Sequence, residues 1–409
     1  MLKLNTLMDM EDHQVHGSND LRYEAGVAPS KFFASPDHGD ETATHSVQVM
    51  DKPREETVTH HTALPDGCTT QGLLQPPRCH RFEYTDRWAD SDKARIDARI
   101  RDLIALGYHG DPAKDLTRSR TVIDMSNPAT QELGRTMPTI VEWFKLIPRA
   151  VALDIIYDPE KGRLFNGVVL DDEAVRWFKN IDDAIGIRSR AAVLRKLLQH
   201  EAANEGRLAV ASLACGAAQP VLETMAGLLR DARSAESTVT LVDLDRESLE
   251  MAVGLASSHG IADRVTTATK NILGLQGIDI DPGSTDGRVG YDVVEALGFL
   301  EYLPPENQES YTYNGVVDEK RSRAGAIVFL KNAYDLVRPG GLLIFGNMLD
   351  ETHKQLEFTL NTVQWPHIQP RSINQMLQII AAAGIDDAAE LDIYCPTDGV
   401  YAVYAIRKP

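Results

Sequence analysis

Cysteine is scarce in this 409-residue chain: there are four, at Cys68, Cys79, Cys215 and Cys395, with no CxxC pair. That scarcity excludes a disulfide framework and a cysteine-based zinc module, and it fits a reducing cytoplasm. Basic residues are also in the minority, 42 Lys and Arg against 60 Asp and Glu, for a net charge of −18. Binding carried by phosphate contacts needs Lys and Arg, so nucleic acid and anionic membrane surfaces are poor partners. No apolar run approaches the roughly 18 residues that span a bilayer, and residues 1–12 lack the basic start and apolar stretch of a signal peptide. What remains is an ordinary globular composition, 43% apolar and 25% charged, with length enough for two domains.

The average conceals a gradient along the chain. Residues 1–80 hold seven of the twelve histidines, many Pro, Thr and acidic residues, and no helical or strand period. These histidines lack partners at fixed ligand spacing, so no metal site is expected. Residues 1–85 read as a weakly ordered tail. From Ser91 the apolar residues recur at helical spacing, with helices expected near 139–154, 171–185 and 188–204, and with Gly186 as a stop. Residues 86–205 thus form a helical layer. After Gly206, strand-like runs (Leu208–Leu213, Val239–Val242, Tyr291–Val294, Leu342–Phe345) alternate with helical ones, the pattern of a parallel sheet with crossover helices. Two final runs, Leu391–Cys395 and Val400–Ile406, flank the turn sequence Pro396-Thr-Asp-Gly399 and imply an antiparallel hairpin at the sheet edge.

The first strand leads through Ala214, Gly216 and Ala218 into a helix, and small residues there let a ligand approach the backbone and helix N-terminus. The same residues also serve tight packing alone. Only one glycine of the dinucleotide signature GxGxxG is present, which disfavours nicotinamide and flavin dinucleotides. The second strand ends in Asp243, and a carboxylate there can accept both hydroxyls of a ribose. Asp245 fits the N-cap of the helix that follows.

Five segments, Ala211–Ala218, Val239–Asp245, Arg264–Asn271, Tyr291–Leu303 and Leu336–Ile344, stand in the order and spacing of the motifs of class I S-adenosylmethionine-dependent methyltransferases. The resemblance covers residues 206–409. It implies an α/β, Rossmann-like sheet of seven strands with the last antiparallel and S-adenosyl-L-methionine as cofactor, and the helical layer of 86–205 would then form an N-terminal cap over the acceptor pocket. It places Ala214, Cys215 and Gly216 beside the methionine part, Asp243 on the ribose, and Leu244, Asn271 and Ile272 at the adenine. Ala296 and Leu297 fall near the methionyl moiety, and Arg188 and Arg190 lie where the family often contacts the cofactor carboxylate. Two departures stand out: Ser212 replaces the family's usual acid, and two motif glycines are Ala214 and Ala218.

Acceptor-side candidates are Asn347 at a strand tip, Tyr313 in the insertion 304–323, and His367 as a general base. Glu295 and Glu301 flank the strand tip at Ala296 and could orient an amine, although Glu301 also fits a solvated helix start. The Asp-Pro-Pro-Tyr or Asn-Pro-Pro-Tyr motif of nucleic-acid amino methyltransferases is missing, which with the acidic balance favours a small-molecule acceptor. Two other readings share the scaffold: aminopropyl transfer or cyclisation of the same cofactor, and a non-catalytic binding protein. Oligomeric state is left open by the sequence.

Overall fold

In a computed structural model, the described residues are 57–64, 75–107, 123, 125–147, 149–280, 289–307, 311–313, 316–318, 324–350, 355, 358–363, 368–385 and 390–409. Their centre is a nine-stranded sheet. Its strands are β1 (Thr57–Thr62), β2 (Arg78–Tyr84), β3 (Ala209–Leu213), β4 (Thr238–Asp243), β5 (Val265–Thr269), β6 (Tyr291–Ala296), β9 (Val337–Met348), β10 (Glu390–Pro396) and β11 (Tyr401–Arg407). A separate antiparallel pair is formed by β7 (Tyr311–Tyr313) and β8 (Val316–Asp318). The order across the large sheet is β1-β2-β10-β11-β9-β6-β3-β4-β5. The neighbours from β9 through β6, β3 and β4 to β5 are parallel, and β11 runs antiparallel to both β9 and β10. Seven strands from β3 onward therefore form the expected α/β sheet with its last strand antiparallel.

The two additional strands come from residues expected in the tail. β2 pairs in parallel with β10, and β1 closes the sheet outside it. The β10–β11 hairpin is accordingly internal, not at the edge. Side chains explain the addition: Arg78 donates to Asp392 at 2.7 and 2.6 Å, His80 meets Asp392 at 2.7 Å, and the His80 ring stacks on Tyr394. These long-range pairs leave no periodic trace in a polar segment.

The helices are α1 (Lys93–Leu106), α2 (Pro128–Thr136), α3 (Ile140–Phe144), α4 (Asp154–Tyr157), α5 (Asp172–Asn180), α6 (Asp182–Glu205), α7 (Gln219–Leu228), α8 (Arg246–Ser258), α9 (Ala326–Asp335) and α10 (Ile373–Ala382). Short polar caps fix several starts. Asp171 accepts from Ala174 N at 2.9 Å, Asp245 from Glu247 N at 3.2 Å as expected, and Ser372 forms a capping box with Gln375.

Helix α6 overturns one expectation. It runs 24 residues without interruption through Gly186. A methyl group at 186 would collide with the Val400 side chain, so this glycine marks a close crossing of helix and strand, not a stop. The helix also joins two cores. Its first turns (Ala184, Ile187) pack among cap residues such as Trp143, Trp177 and Phe178, whereas Val193, Leu194 and Leu198 pack with Val210, Ile344 and Val403 of the sheet. Its second half therefore belongs to the sheet layer.

Candidate active site

The chain builds the site where β3 and β4 end. Beyond Leu213 the backbone turns through three left-handed residues, Ala214 (φ 49°), Gly216 (φ 54°) and Ala218 (φ 52°), before α7 begins. A side chain at 216 would strike the Ala150 methyl, so glycine is required there by space as well as by angle. The two alanines hold the same backbone region at a steric cost of roughly 1–2 kcal/mol each. Gly216 N donates to Asp243 Oδ2 at 2.7 Å, and Asp245 N donates to Asp243 Oδ1 at 2.8 Å. One carboxylate thus ties the two strand-to-helix turns together.

These groups face a cavity whose roof comes from the cap. Ala150 and Leu153, on a short 3-10 turn, and Tyr157 on α4 line it from above. Arg149 crosses to Asp245, at 3.4 Å, and to Glu247, pinning that roof to the start of α8. Of the expected cofactor residues, Ala214, Cys215, Gly216, Asp243, Leu244, Asn271, Ile272 and Leu297 all line the cavity. Ala296 does not: it is buried in the sheet core beneath. Asn271 Oδ1 accepts from Leu273 N at 2.9 Å, which fixes the amide and leaves its second lone pair for a ligand.

Three acceptor-side expectations fare differently. Asn347 is fully buried between strands, where its amide donates to Met348 O at 2.7 Å and accepts from Arg371 Nη1 at 2.9 Å. It orders a loop junction and is absent from the cavity wall. Tyr313 lies in the small β7–β8 sheet. His367 falls outside the described residues.

A second group of residues gathers at the other end of the cavity. Arg190 and Glu295 line it with Tyr157, Phe299 and Tyr302. Arg190 is buried, 3.2 Å from Glu301 and 4.3 Å above the Tyr401 ring. Glu301 is thus an interior partner of Arg190 and not a solvated helix start. The neighbouring Arg188 points away from the cavity: it pairs with Asp86 at 2.6 Å and donates to the carbonyls of Ile156, Phe178 and Lys179, knitting the cap to α6. The roof residues Ala150, Leu153 and Tyr157 carried no signal in the sequence, because apolar positions in a cap look alike whether they face a core or a ligand.

Glu295 accepts from Ser212 Oγ and, at 2.9 Å, from Leu297 N. Burial raises the carboxyls of Asp243, Glu295 and Glu301 above the ordinary range, opposed by their hydrogen bonds and, at the two glutamates, by Arg190. Burial, with Asp243 and Glu295 nearby, also pushes the Cys215 thiol well up. Cys215 is therefore held as the neutral thiol in the cavity wall.

No family model matches the chain, and no curated protein does. Solved structures do. One, described as a possible exported protein from Bordetella parapertussis, is 16% identical over 78% of this chain and 100% of its own, with a TM-score of 0.49. An O-methyltransferase family protein from Burkholderia thailandensis is 18% identical over 69% and 70% of the two chains, TM-score 0.38. The magnesium protoporphyrin IX methyltransferase of Synechocystis PCC 6803, with bound S-adenosylhomocysteine, is 14% identical over 63% and 97%, TM-score 0.39. Likeness at this level assigns no activity to this chain.

Proposed function

We propose that this protein uses S-adenosyl-L-methionine to methylate a small-molecule acceptor. The observation that carries the reading is Asp243, which locks the two turns at the carboxyl ends of β3 and β4 and faces the cavity between them. Open α/β sheets bind ligands at that edge. The residues present fit the cofactor. Asp243 has lone pairs beyond its two backbone bonds for a ribose, Leu244 and Ile272 supply apolar faces for adenine, and Gly216 leaves the backbone bare.

When bound, the cofactor supplies an activated methyl group, so the chain has only to align the acceptor and keep water out. The roof residues Ala150, Leu153 and Tyr157 exclude solvent, and Leu297, Phe299 and Tyr302 offer an apolar and aromatic wall on the β6 side. Burial raises the Tyr157 phenol, against the neighbouring Arg190, so it stays a neutral hydrogen-bond donor. Among the described lining residues there is no histidine. Positioning is what these lining residues provide. The acidic net charge and the roofed cavity both favour a metabolite over a nucleic acid.

Incubation with the cofactor and a metabolite extract, followed by mass spectrometry, tests the reading. Methyl transfer yields a product heavier by one methylene together with S-adenosylhomocysteine. Methylthioadenosine as the by-product would instead assign aminopropyl transfer or cyclisation, and calorimetry showing no cofactor binding would leave a scaffold protein.

A further inference from the structure

The acid expected on β3 is a serine in this chain, yet the cavity does not lack an acid at that height. Ser212 of β3 and Glu295 of β6 are register partners on neighbouring parallel strands, and Ser212 Oγ donates to Glu295 Oε1. The carboxylate has moved one strand sideways, and the serine left behind orients it. Its second oxygen accepts from Leu297 N at 2.9 Å, so both oxygens are fixed while each retains a lone pair. Ser212 is fully buried and Glu295 is 4% exposed, and Glu295 lines the cavity.

The charges around it are unbalanced. Arg190, also on the wall, is the cation facing two buried carboxylates, Glu295 and Glu301, and it is already hydrogen-bonded to Glu301 at 3.2 Å. Arg371, the other guanidinium acting on Glu301, is spent on the carbonyls of Leu300 and Leu303 and on Asn347. Arg190 keeps one buried donor, Nε, without a partner. This end of the cavity therefore offers a carboxylate in need of a cation beside a guanidinium on the same wall. A group carrying an ammonium and a carboxylate on one carbon satisfies both.

We infer that Glu295, oriented by Ser212, binds the ammonium of the amino-acid end of the cofactor, replacing the acid missing at position 212. The inference rests on the cofactor reading above and names the residue that discriminates the amino-acid moiety from the nucleoside.

Calorimetry with three ligands tests it. Wild-type protein is expected to bind S-adenosylhomocysteine at least about tenfold more tightly than its desamino analogue, which keeps the carboxylate and loses the ammonium. Glu295→Gln should abolish that preference and leave affinity for methylthioadenosine, which lacks the amino-acid end, within about twofold of wild type. The exchange Ser212→Asp with Glu295→Ser, which returns the acid to β3, should restore the preference. Equal binding of S-adenosylhomocysteine and its desamino analogue by wild type would overturn the inference without any variant. So would an equal loss for all three ligands in a folded Glu295→Gln protein. If wild type bound neither methylthioadenosine nor S-adenosylhomocysteine, the cofactor reading itself would fall.

Discussion

Asp243 is oriented by the chain itself, through the N–H groups of Gly216 and Asp245, so replacing it removes a ligand group and the tie between two turns at once. Asp243→Ala is expected to weaken S-adenosylhomocysteine by about a hundredfold, since charge-assisted bonds contribute roughly 1.5–3 kcal/mol. Asp243→Asn keeps one acceptor and should lie between. Unchanged affinity in the alanine variant would refute the ribose assignment. Ala214 carries a different prediction. It sits at φ 49° in partial exposure, so Ala214→Gly relieves strain that a methyl group imposes. Thermal unfolding should show a gain of roughly 0.5–1 kcal/mol, after the larger unfolded-state entropy of glycine is allowed for. Ala218, equally left-handed, is 4% exposed and packs against the sheet, so the same change there loses buried contact and should not stabilise. A fall in stability for Ala214→Gly would show that its methyl group holds the turn.

At the scale of elements, α6 is the member that joins cap to sheet, and its close crossing at Val400, just before β11, sets how closely they approach. Gly186→Ala places a methyl group against Val400 in a fully buried site, and overpacking of this kind costs about 1–3 kcal/mol. Urea denaturation should show that loss, and Val400→Ala in the same chain should recover part of it, because the two side chains then share the space. Additive losses would mean the crossing is looser than its geometry. This helix also marks the reach of sequence reasoning. Strands β3, β6, β9 and β11 were legible because burial on both faces writes dense apolar runs, β4 and β10 because one buried face still gives a short apolar run, and Asp243 with Gly216 was legible because strand ends fix the spacing of a turn and an acid. Strand β5 carries Val265-Thr-Thr-Ala-Thr269 on an exposed edge, which lacks such a run. A glycine at 186 looks the same in a sequence whether it ends a helix or admits a neighbour. Glu295 was noticed beside the β6 tip, but its pairing with Ser212 depends on strand register across 83 residues, which no local pattern encodes.

For the molecule as a whole, charge decides how stability varies with pH. Burial raises the carboxyls of Asp243, Glu295, Glu301 and Asp398, opposed to different degrees by hydrogen bonds. A raised carboxyl binds its proton more firmly in the folded chain, so its contribution is full below the ordinary carboxylate range and is lost as pH rises through the elevated value. Two partly buried groups act in the opposite sense. At Asp171 and Asp392 burial is outweighed by hydrogen bonds, from Thr139 and Ala174 in one case and from Arg78 and His80 in the other. Both sit below the ordinary value, and their contribution is lost as pH falls through the lowered value. The −18 net charge adds self-repulsion that grows as the last carboxyls ionise. These effects place a decline on the alkaline side of the ordinary carboxylate range, from the raised carboxyls, and a second loss on its acid side, from Asp171 and Asp392. Scanning calorimetry through and above that range checks the sign, and a melting temperature that climbs steadily as pH rises above it would contradict it. Glu295→Gln removes one raised carboxyl and should flatten the alkaline side of the curve. Saturating S-adenosylhomocysteine should flatten it as well in wild type, because an ammonium against Glu295 lowers the ionisation cost that burial imposes, and it should do so far less in the variant.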